Sequence, residues 1–185
     1  QGIYSKKPVN ALADMKGMKW RAYSPATSKM AELMNLQPVT IQAAELSQAL
    51  ATGVVETYIS SSATGIDSKT YESLKYFYEN QAWIPKNAVL INMKAFNALD
   101  KATQDAVTKA AANAQARGWK ISEEKEAAFK QVLRDKGMNV QPPSATFAAD
   151  MSKIGAIMLS DWEKKSAPQG AELIAQYRKL VPAAK

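Results

Sequence analysis

The sequence predicts an α/β fold, and three observations support this prediction. Short apolar runs typical of strands alternate with amphipathic stretches of helical period through the first 60 residues. Residues 100–136 are helix formers almost without interruption, which predicts one long helix of about 55 Å. The chain has 185 residues with 46% apolar content, enough for a buried core in one or two domains.

The first 60 residues predict three strands joined by two helices. Ser24 or Thr27 caps the first helix, and Gly53 ends the second, whose residues Leu46 and Leu50 face inward. Trp20 should point into the core, on the opposite face of its strand from Arg21. Strands and helices that alternate at this spacing favour a β-α-β-α-β unit with parallel strands. The predicted order is strand 18–23, helix 24–36, strand 38–41, helix 42–53 and strand 54–60.

The remaining chain is predicted to contain more helix than strand. The spacing of Tyr71, Tyr76, Phe77 and Tyr78 predicts a helix with these aromatic side chains in the core. Two amphipathic helices close the chain, the first with Ile154, Ile157, Met158 and Trp162 on one face and the second with Leu173, Ile174 and Tyr177. The predicted order is helix 68–80, strand 87–93, helix 100–136, strand 138–143 and these two helices.

Composition excludes several classes of enzyme. The chain contains no cysteine and no histidine, so thiol nucleophiles, Ser-His relays and zinc sites built on Cys or His are excluded. No dinucleotide-binding glycine motif, P-loop or G-x-S-x-G motif occurs. Most acidic residues follow surface helix patterns with lysine four residues away. We therefore expect a protein without catalytic residues, cofactor or metal site.

The charge and hydropathy patterns also restrict the partners. The net charge is +7, but the lysines are scattered and form no basic stripe interleaved with aromatic residues, so we expect no nucleic-acid partner. No apolar run reaches the length of a membrane span, and the first ten residues do not resemble a signal peptide. We expect a soluble protein whose targeting segment was removed or was never part of this sequence.

A binding site is expected where the predicted parallel strands end. Arg21 with Tyr23 follows the first strand, Thr40 with Gln42 the second, and Ser60–Ser62 the third. Ligands of open α/β sheets bind at this edge. Arginine can hold a carboxylate through two parallel hydrogen bonds, and hydroxyl groups can satisfy the ligand's other polar atoms. The alternatives are that Arg21 pairs with an acid of its own chain or extends to solvent.

Three segments in order, with matching gaps, carry a resemblance to a known family. They are 7–21 (KPVNALADMKGMKWR), 38–56 (PVTIQAAELSQALATGVVE) and 69–107 (KTYESLKYFYENQAWIPKNAVLINMKAFNALDKATQDAV). They resemble the solute-binding proteins of TRAP transporters, the DctP-like family, over Lys7 to about Tyr177. The resemblance implies a periplasmic binding protein-like, two-lobed α/β fold, present here in part, with a long lobe-spanning helix.

The resemblance also implies a function and a set of site residues. Such proteins are periplasmic, close around a small organic acid and deliver it to a membrane permease. Arg21 occupies the position of the family's principal carboxylate ligand, and Ser60 stands where the family often has asparagine. We add Ser61, Tyr23 and Trp83 as ligand-binding candidates, since Trp83 aligns with a stretch that lines the family's cleft. Ser60–Ser62 could instead be only an interlobe hinge, and Trp83 only a packing residue.

The family's proteins begin with a βα segment that precedes this sequence, so the resemblance implies a C-terminal portion of the fold. Strand edges without neighbours then favour self-association or domain swapping. Alternative functions are a ligand-sensing domain or a transporter-independent binding protein of the same fold, with an enzyme less favoured. The implied division is 1–62 for a second-lobe unit, 63–99 for a return to the first lobe, 100–136 for the lobe-spanning helix, and 137–185 for the C-terminal strand and helices.

Overall fold

A computed structural model describes residues 1–83 and 85–181, which form one six-stranded mixed sheet covered by helices. The strands are β1 (Gly2–Ser5), β2 (Lys19–Ala22), β3 (Gln37–Thr40), β4 (Thr57–Ser60), β5 (Tyr76–Tyr78) and β6 (Asn139–Gln141). The α-helices are α1 (Pro25–Leu33), α2 (Leu46–Ala51), α3 (Ser62–Asp67), α4 (Met93–Asn97), α5 (Lys101–Asp135), α6 (Ala145–Lys165) and α7 (Gln169–Leu180). Short 3-10 helices lie at Leu12–Met15, Ala43–Glu45 and Thr70–Glu72.

The order of strands in the sheet is β3-β2-β4-β1-β5-β6. The strand β2 pairs in parallel with β3 and β4, which confirms the predicted β-α-β-α-β unit. The sheet is mixed rather than parallel throughout, because β1 lies antiparallel between β4 and β5, and β5 pairs in parallel with β6. All strands except β1 therefore end at the same side of the sheet. We call this side the carboxyl edge; it carries Arg21–Tyr23, Thr40–Ile41, Ser60–Ser61, Glu79–Asn80 and Gln141.

Both faces of the sheet are buried, because successive side chains of a strand point to opposite faces. Trp20 is completely buried on one face, where α1 and α6 pack against the sheet, as predicted. Tyr4 and Tyr58 stack on the other face, with ring centroids 4.7 Å apart, beneath α2 and the end of α5. This face also buries Leu46 and Leu50 of α2, which confirms their predicted inward orientation.

The predicted signals that begin and end the first two helices are confirmed. Ser24 is the N-cap of α1: its hydroxyl accepts a hydrogen bond from the Thr27 N–H at 3.2 Å. Pro25 stands at the first helical position, where a missing N–H costs little. Gly53 follows α2 with a positive φ of 71°, a conformation that glycine adopts without steric cost and that turns the chain toward β4.

The helix predicted at 68–80 is wrong. The chain there forms the short 3-10 helix and then β5, which pairs with β1 and β6. Phe77 packs against the Tyr4 ring at 4.5 Å between centroids, while Tyr78 faces the opposite cluster and contacts Phe147. Aromatic residues fit a half-buried pleated surface well. The free edge of β1 is available for pairing, so these residues form the strand β5 instead of a helix. Their predicted place in the core is confirmed for Phe77 and Tyr78, whereas Tyr76 is only partly buried.

The strand predicted at 87–93 is also wrong. These residues join no strand among those that the structure describes, and Val89 and Leu90 are 101% and 87% exposed. Asn92 instead begins α4, because its side-chain oxygen accepts hydrogen bonds from the N–H groups of Lys94 and Ala95. An apolar run forms a strand only where a sheet edge lies within reach.

The predicted long helix is confirmed as α5, which has 35 residues. Only its C-terminal part packs against the sheet, through the buried Leu133. The predicted strand before the last two helices and those helices themselves are confirmed as β6, α6 and α7, although Trp162 and Leu173 are exposed. None of the described helices is both long and apolar enough to cross a membrane.

The strands come from several of the predicted segments. Residues 1–62 supply β1 to β4, residues 63–99 supply β5, and residues 137–185 supply β6, all to the same sheet. The assignment of these segments to two lobes stays a prediction.

Candidate carboxylate-binding site

Arg21 lies in β2 at the carboxyl edge and is only 5% exposed. Its Nε donates a hydrogen bond of 3.0 Å to the carbonyl oxygen of Ile41, the residue that follows β3. Its guanidinium carbon lies 5.1 Å from the centre of the Tyr23 ring, a distance typical of a cation–π contact. These two contacts hold the guanidinium in one orientation.

Arg21 has no acidic partner among residues 1–83 and 85–181. No carboxylate there lies within 4.0 Å of its nitrogen atoms, so the described residues do not support the alternative of an ion pair within the chain. Burial lowers the pKa of Arg21 from its ordinary value, against a smaller opposing effect of Tyr58 and Tyr23. An arginine stays protonated even so. The fold thus holds a buried positive charge without a counter-ion from these residues.

Ser60 lies on the same face of the sheet as Arg21. In the parallel pair of β2 and β4, Trp20 is opposite Thr57, so Arg21 is level with Tyr58 and Tyr23 with Ser60. Neighbouring strands are about 4.8 Å apart, which brings the Ser60 hydroxyl to the vicinity of Arg21 and Tyr23. Arg21, Tyr23 and Ser60, three of the predicted ligand-binding residues, therefore lie at the ends of two neighbouring strands on the carboxyl edge.

The two serines after Ser60 hold the local structure together. The Ser61 hydroxyl accepts a hydrogen bond of 3.1 Å from the Thr64 N–H and caps α3. The Ser62 hydroxyl donates a hydrogen bond of 3.2 Å to the Glu126 carboxylate in α5. A ligand role for Ser61 stays a prediction, and its hydroxyl already has a partner.

Tyr23 also lines a cavity of about 780 Å³, which we call the Trp83 cavity. Its walls are the start of α1 with Tyr23 and Ser24, residues 80–83 and Pro85, Pro143, and α6 between Ala148 and Met158. Trp83 is partly buried here and packs against the core. This agrees with the alternative, stated in the sequence analysis, that Trp83 is only a packing residue. Arg21 does not line the cavity, whereas Tyr23 lines it and also contacts Arg21.

Some site residues were missed by sequence reasoning or have another role. Thr40 and Gln42 were candidates after β3, but both are exposed, and the main chain of Ile41 between them contacts Arg21. No sequence signal marks a main-chain carbonyl as a partner for arginine. The contribution of α6 to the cavity comes from Met151, Ile154 and Met158. The helical period had marked Ile154 and Met158 only as part of an apolar face, and it did not mark Met151.

A cluster of charged side chains joins α5 to the carboxyl edge. Lys130 lies 2.9 Å from Glu126 and 3.4 Å from Glu79, and Arg134 lies 3.6 Å from Glu79. Burial alone would lower the pKa of Lys130, but the hydrogen bonds and charges of Glu126 and Glu79 outweigh it and raise this pKa. The cluster ties the long helix to the loop that follows β5.

Comparison with known proteins agrees with this geometry. The family model of DctP, described as bacterial extracellular solute-binding protein, family 7, matches residues 1–165. The chain belongs to this family. DctP6, a Bordetella pertussis extracytoplasmic solute receptor binding pyroglutamic acid, is 52% identical with a TM-score of 0.93. DctP7 of the same organism, also binding pyroglutamic acid, is 44% identical with a TM-score of 0.92.

Two further matches are more distant relatives of this DctP-family chain. A TRAP solute-binding protein specific for pyroglutamate, from an unidentified marine microbe, is 38% identical with a TM-score of 0.93. An uncharacterized protein of Haemophilus influenzae is 26% identical over 166 residues, which are 88% of this chain and 50% of that protein. The alignments with DctP6, DctP7 and the marine protein each include 96% of this chain. They include only 59% of each of those three proteins, so this chain spans about three fifths of their length.

Family membership confirms the predicted resemblance and the predicted fold class. The structure corresponds to part of the two-lobed fold of TRAP periplasmic binding proteins. The family is extracytoplasmic, in agreement with the predicted periplasmic location. Its members and the structural neighbours are solute-binding receptors rather than enzymes.

Proposed function

We propose that the protein captures a small organic acid in the periplasm and delivers it to the membrane permease of a TRAP transporter. Pyroglutamate is the first candidate ligand, because the receptors that are 52%, 44% and 38% identical to this chain bind it. The structural observation that carries the proposal is the buried Arg21 guanidinium, which has no carboxylate partner among the described residues.

Arg21 is oriented to receive a carboxylate. Its Nε is occupied by the Ile41 carbonyl, and Tyr23 covers one side of the guanidinium plane. The two Nη groups make no hydrogen bond to any of the described residues, and they can form two parallel charge-assisted bonds to a carboxylate. Ser60, on the neighbouring strand and the same face, offers a hydroxyl to another polar atom of the ligand.

We propose that the protein acts by binding alone, without a catalysed reaction or a cofactor. A chain without cysteine and histidine lacks the usual nucleophile and base pairs. A charge pair with two parallel hydrogen bonds orients a carboxylate, and this requires no catalytic group.

The proposal is tested by calorimetry with pyroglutamate. Arg21→Ala should weaken binding by about 2–5 kcal/mol, because the bound carboxylate loses its buried partner. Arg21→Lys should recover only part of this loss, because an ammonium group cannot form the two parallel bonds. Arg117→Ala, which removes an exposed arginine of α5, is the matched control and should leave the affinity unchanged. Equal affinities for the Arg21→Ala variant and the original protein would remove Arg21 from the site.

We further propose that the 185-residue chain self-associates through the apolar segment 87–93. Its large apolar side chains are 52% to 101% exposed, and its backbone joins none of the six strands. The same segment of a second copy can cover these side chains and pair with this backbone. Light scattering at micromolar concentration should give a mass above that of one chain, and Leu90→Asp should lower it. A monomeric mass for the unmodified chain would contradict self-association.

A further inference from the structure

The main chain at the end of β4 is held by a buried tyrosine, Tyr4 of β1. Tyr4 is completely buried, and its hydroxyl donates a hydrogen bond of 2.9 Å to the carbonyl oxygen of Ser61. Burial raises the pKa of Tyr4 far above its ordinary value, so this hydroxyl stays protonated and remains a donor. The bond joins residues 57 positions apart, and it ends one residue after Ser60, whose hydroxyl is proposed to contact the ligand.

The Tyr4 side chain has little freedom to move. Its ring stacks on Tyr58 and packs against Phe77, with ring centroids 4.7 Å and 4.5 Å away. Helix α3 approaches the hydroxyl so closely that a Cβ atom added at Gly65 would lie 2.1 Å from its oxygen. The Gly65 N–H also donates to the Ser61 carbonyl, at 3.2 Å. The Tyr4 hydroxyl is therefore fixed between the sheet and α3 at the point where β4 ends.

Strand pairing places this hydrogen bond beside the proposed carboxylate site. In the antiparallel pair of β1 and β4, Gly2 is opposite Ser60 and Tyr4 is opposite Tyr58. Tyr58 is in turn level with Arg21 of β2. Because alternate residues of a strand share a face, both tyrosines lie on the same face of the sheet as Ser60 and Arg21. Tyr4 is inaccessible to a ligand, so it can act on the ligand only through the main chain that it holds.

We propose that Tyr4 is a positioning residue of the carboxylate site: by holding the main chain at Ser61, its buried hydroxyl sets the direction in which Ser60 presents its hydroxyl to the ligand. This inference rests on the proposed roles of Arg21 and Ser60 and adds the group that fixes their relative geometry. It concerns ligands that form a hydrogen bond with Ser60, as pyroglutamate can through its ring amide. An acid that binds through Arg21 alone is insensitive to Tyr4.

The test compares pyroglutamate with cyclopentanecarboxylate, which has the same ring size and a carboxylate but no ring amide, by calorimetry of the intact protein. In Tyr4→Phe the affinity for pyroglutamate should fall about two- to tenfold, the equivalent of one neutral hydrogen bond, while that for cyclopentanecarboxylate stays within about twofold. Ser60→Ala should show the same selective loss. In the Ser60→Ala background, Tyr4→Phe should add no further loss, because residues that act as one unit are not additive.

Tyr78→Phe is the matched control for the loss of a buried hydroxyl. Tyr78 is 1% exposed, and its hydroxyl accepts a hydrogen bond of 2.7 Å from the Val9 N–H, in the core on the opposite face of the sheet. Both tyrosine variants should lower the urea concentration at the midpoint of unfolding. Only Tyr4→Phe should change the ratio of the two affinities, and a merely structural role would not move this ratio.

The outcomes separate the positioning role from the proposed function. An equal loss for both acids in Tyr4→Phe, or an affinity ratio that equals that of the unmodified protein, would overturn the positioning role and leave the carboxylate site intact. An additive loss in the double variant would overturn it as well, because Tyr4 would then act independently of Ser60. If neither acid binds the unmodified protein, the proposed function itself fails.

Discussion

The sheet region (residues 1–78) and the arm (residues 85–125) contain similar apolar residues but bury them very differently. Trp20 in β2 is completely buried between α1 and α6, whereas Trp119 in α5 is 48% exposed. Leu46 of α2 is buried, whereas Leu90 of the arm is 87% exposed. A periodic apolar pattern is therefore converted into burial only where a second element packs against it.

The difference between the two regions also explains where the candidate site lies. Arg21, Tyr23 and Ser60 all belong to the sheet region, where strand pairing on both sides fixes their relative positions. The arm contributes no residue to this group among the described residues. A rigid scaffold keeps a buried charge at the place where a ligand can reach it, and an exposed helix cannot do so.

The largest difference between the two regions should appear when tryptophan is removed. Trp20→Ala should lower the free energy of unfolding by about 3–5 kcal/mol, because it leaves a large cavity in the core. Trp119→Ala should change it by less than about 1 kcal/mol, since it removes an exposed ring and its contact with Lys86. Urea denaturation followed by circular dichroism measures both values. Similar losses for the two variants would mean that the arm is packed as tightly as the sheet.

A smaller difference is expected when a carboxylate is replaced by an amide. Glu79→Gln should cost about 1 kcal/mol, because Glu79 is partly buried and interacts with both Lys130 and Arg134. Asp105→Asn in the arm removes an exposed pair with Lys101 and should cost less than about 0.5 kcal/mol. Denaturation at low and high salt should show a larger salt dependence for the unmodified protein than for Glu79→Gln. If both variants retain full stability, the charged cluster does not hold α5 to the sheet.

Several parts of the fold follow from local rules. Ser24, Pro25 and Gly53 set the ends of two helices through side-chain capping, a fixed φ and a positive φ. The 35 residues of α5 have helical propensity without tertiary help, so the sequence predicts this helix whether or not it is covered. Arg21 and Ser60 were predicted together because parallel strands end at one edge of a sheet.

Other parts could not be predicted in this way. Tyr76, Phe77 and Tyr78 fit a helical spacing as well as a strand, and only the edge of β1 selects the strand. The apolar segment 87–93 has the sequence pattern of a strand, but it pairs with no strand among the described residues. Long-range pairing decides both cases, and a local pattern contains no information about which edges are available.

The sequence by itself determined the α/β class, the family, the helix ends and the residue types that can hold a carboxylate, because these depend on local propensity and on the order of motifs along the chain. Only the tertiary structure decided that β1 lies antiparallel in the sheet and that Ile41 and Tyr23 orient Arg21. It also decided that α6 lines an apolar cavity together with α1 and Tyr23. These features depend on contacts between residues far apart in sequence, whose geometry is set by packing.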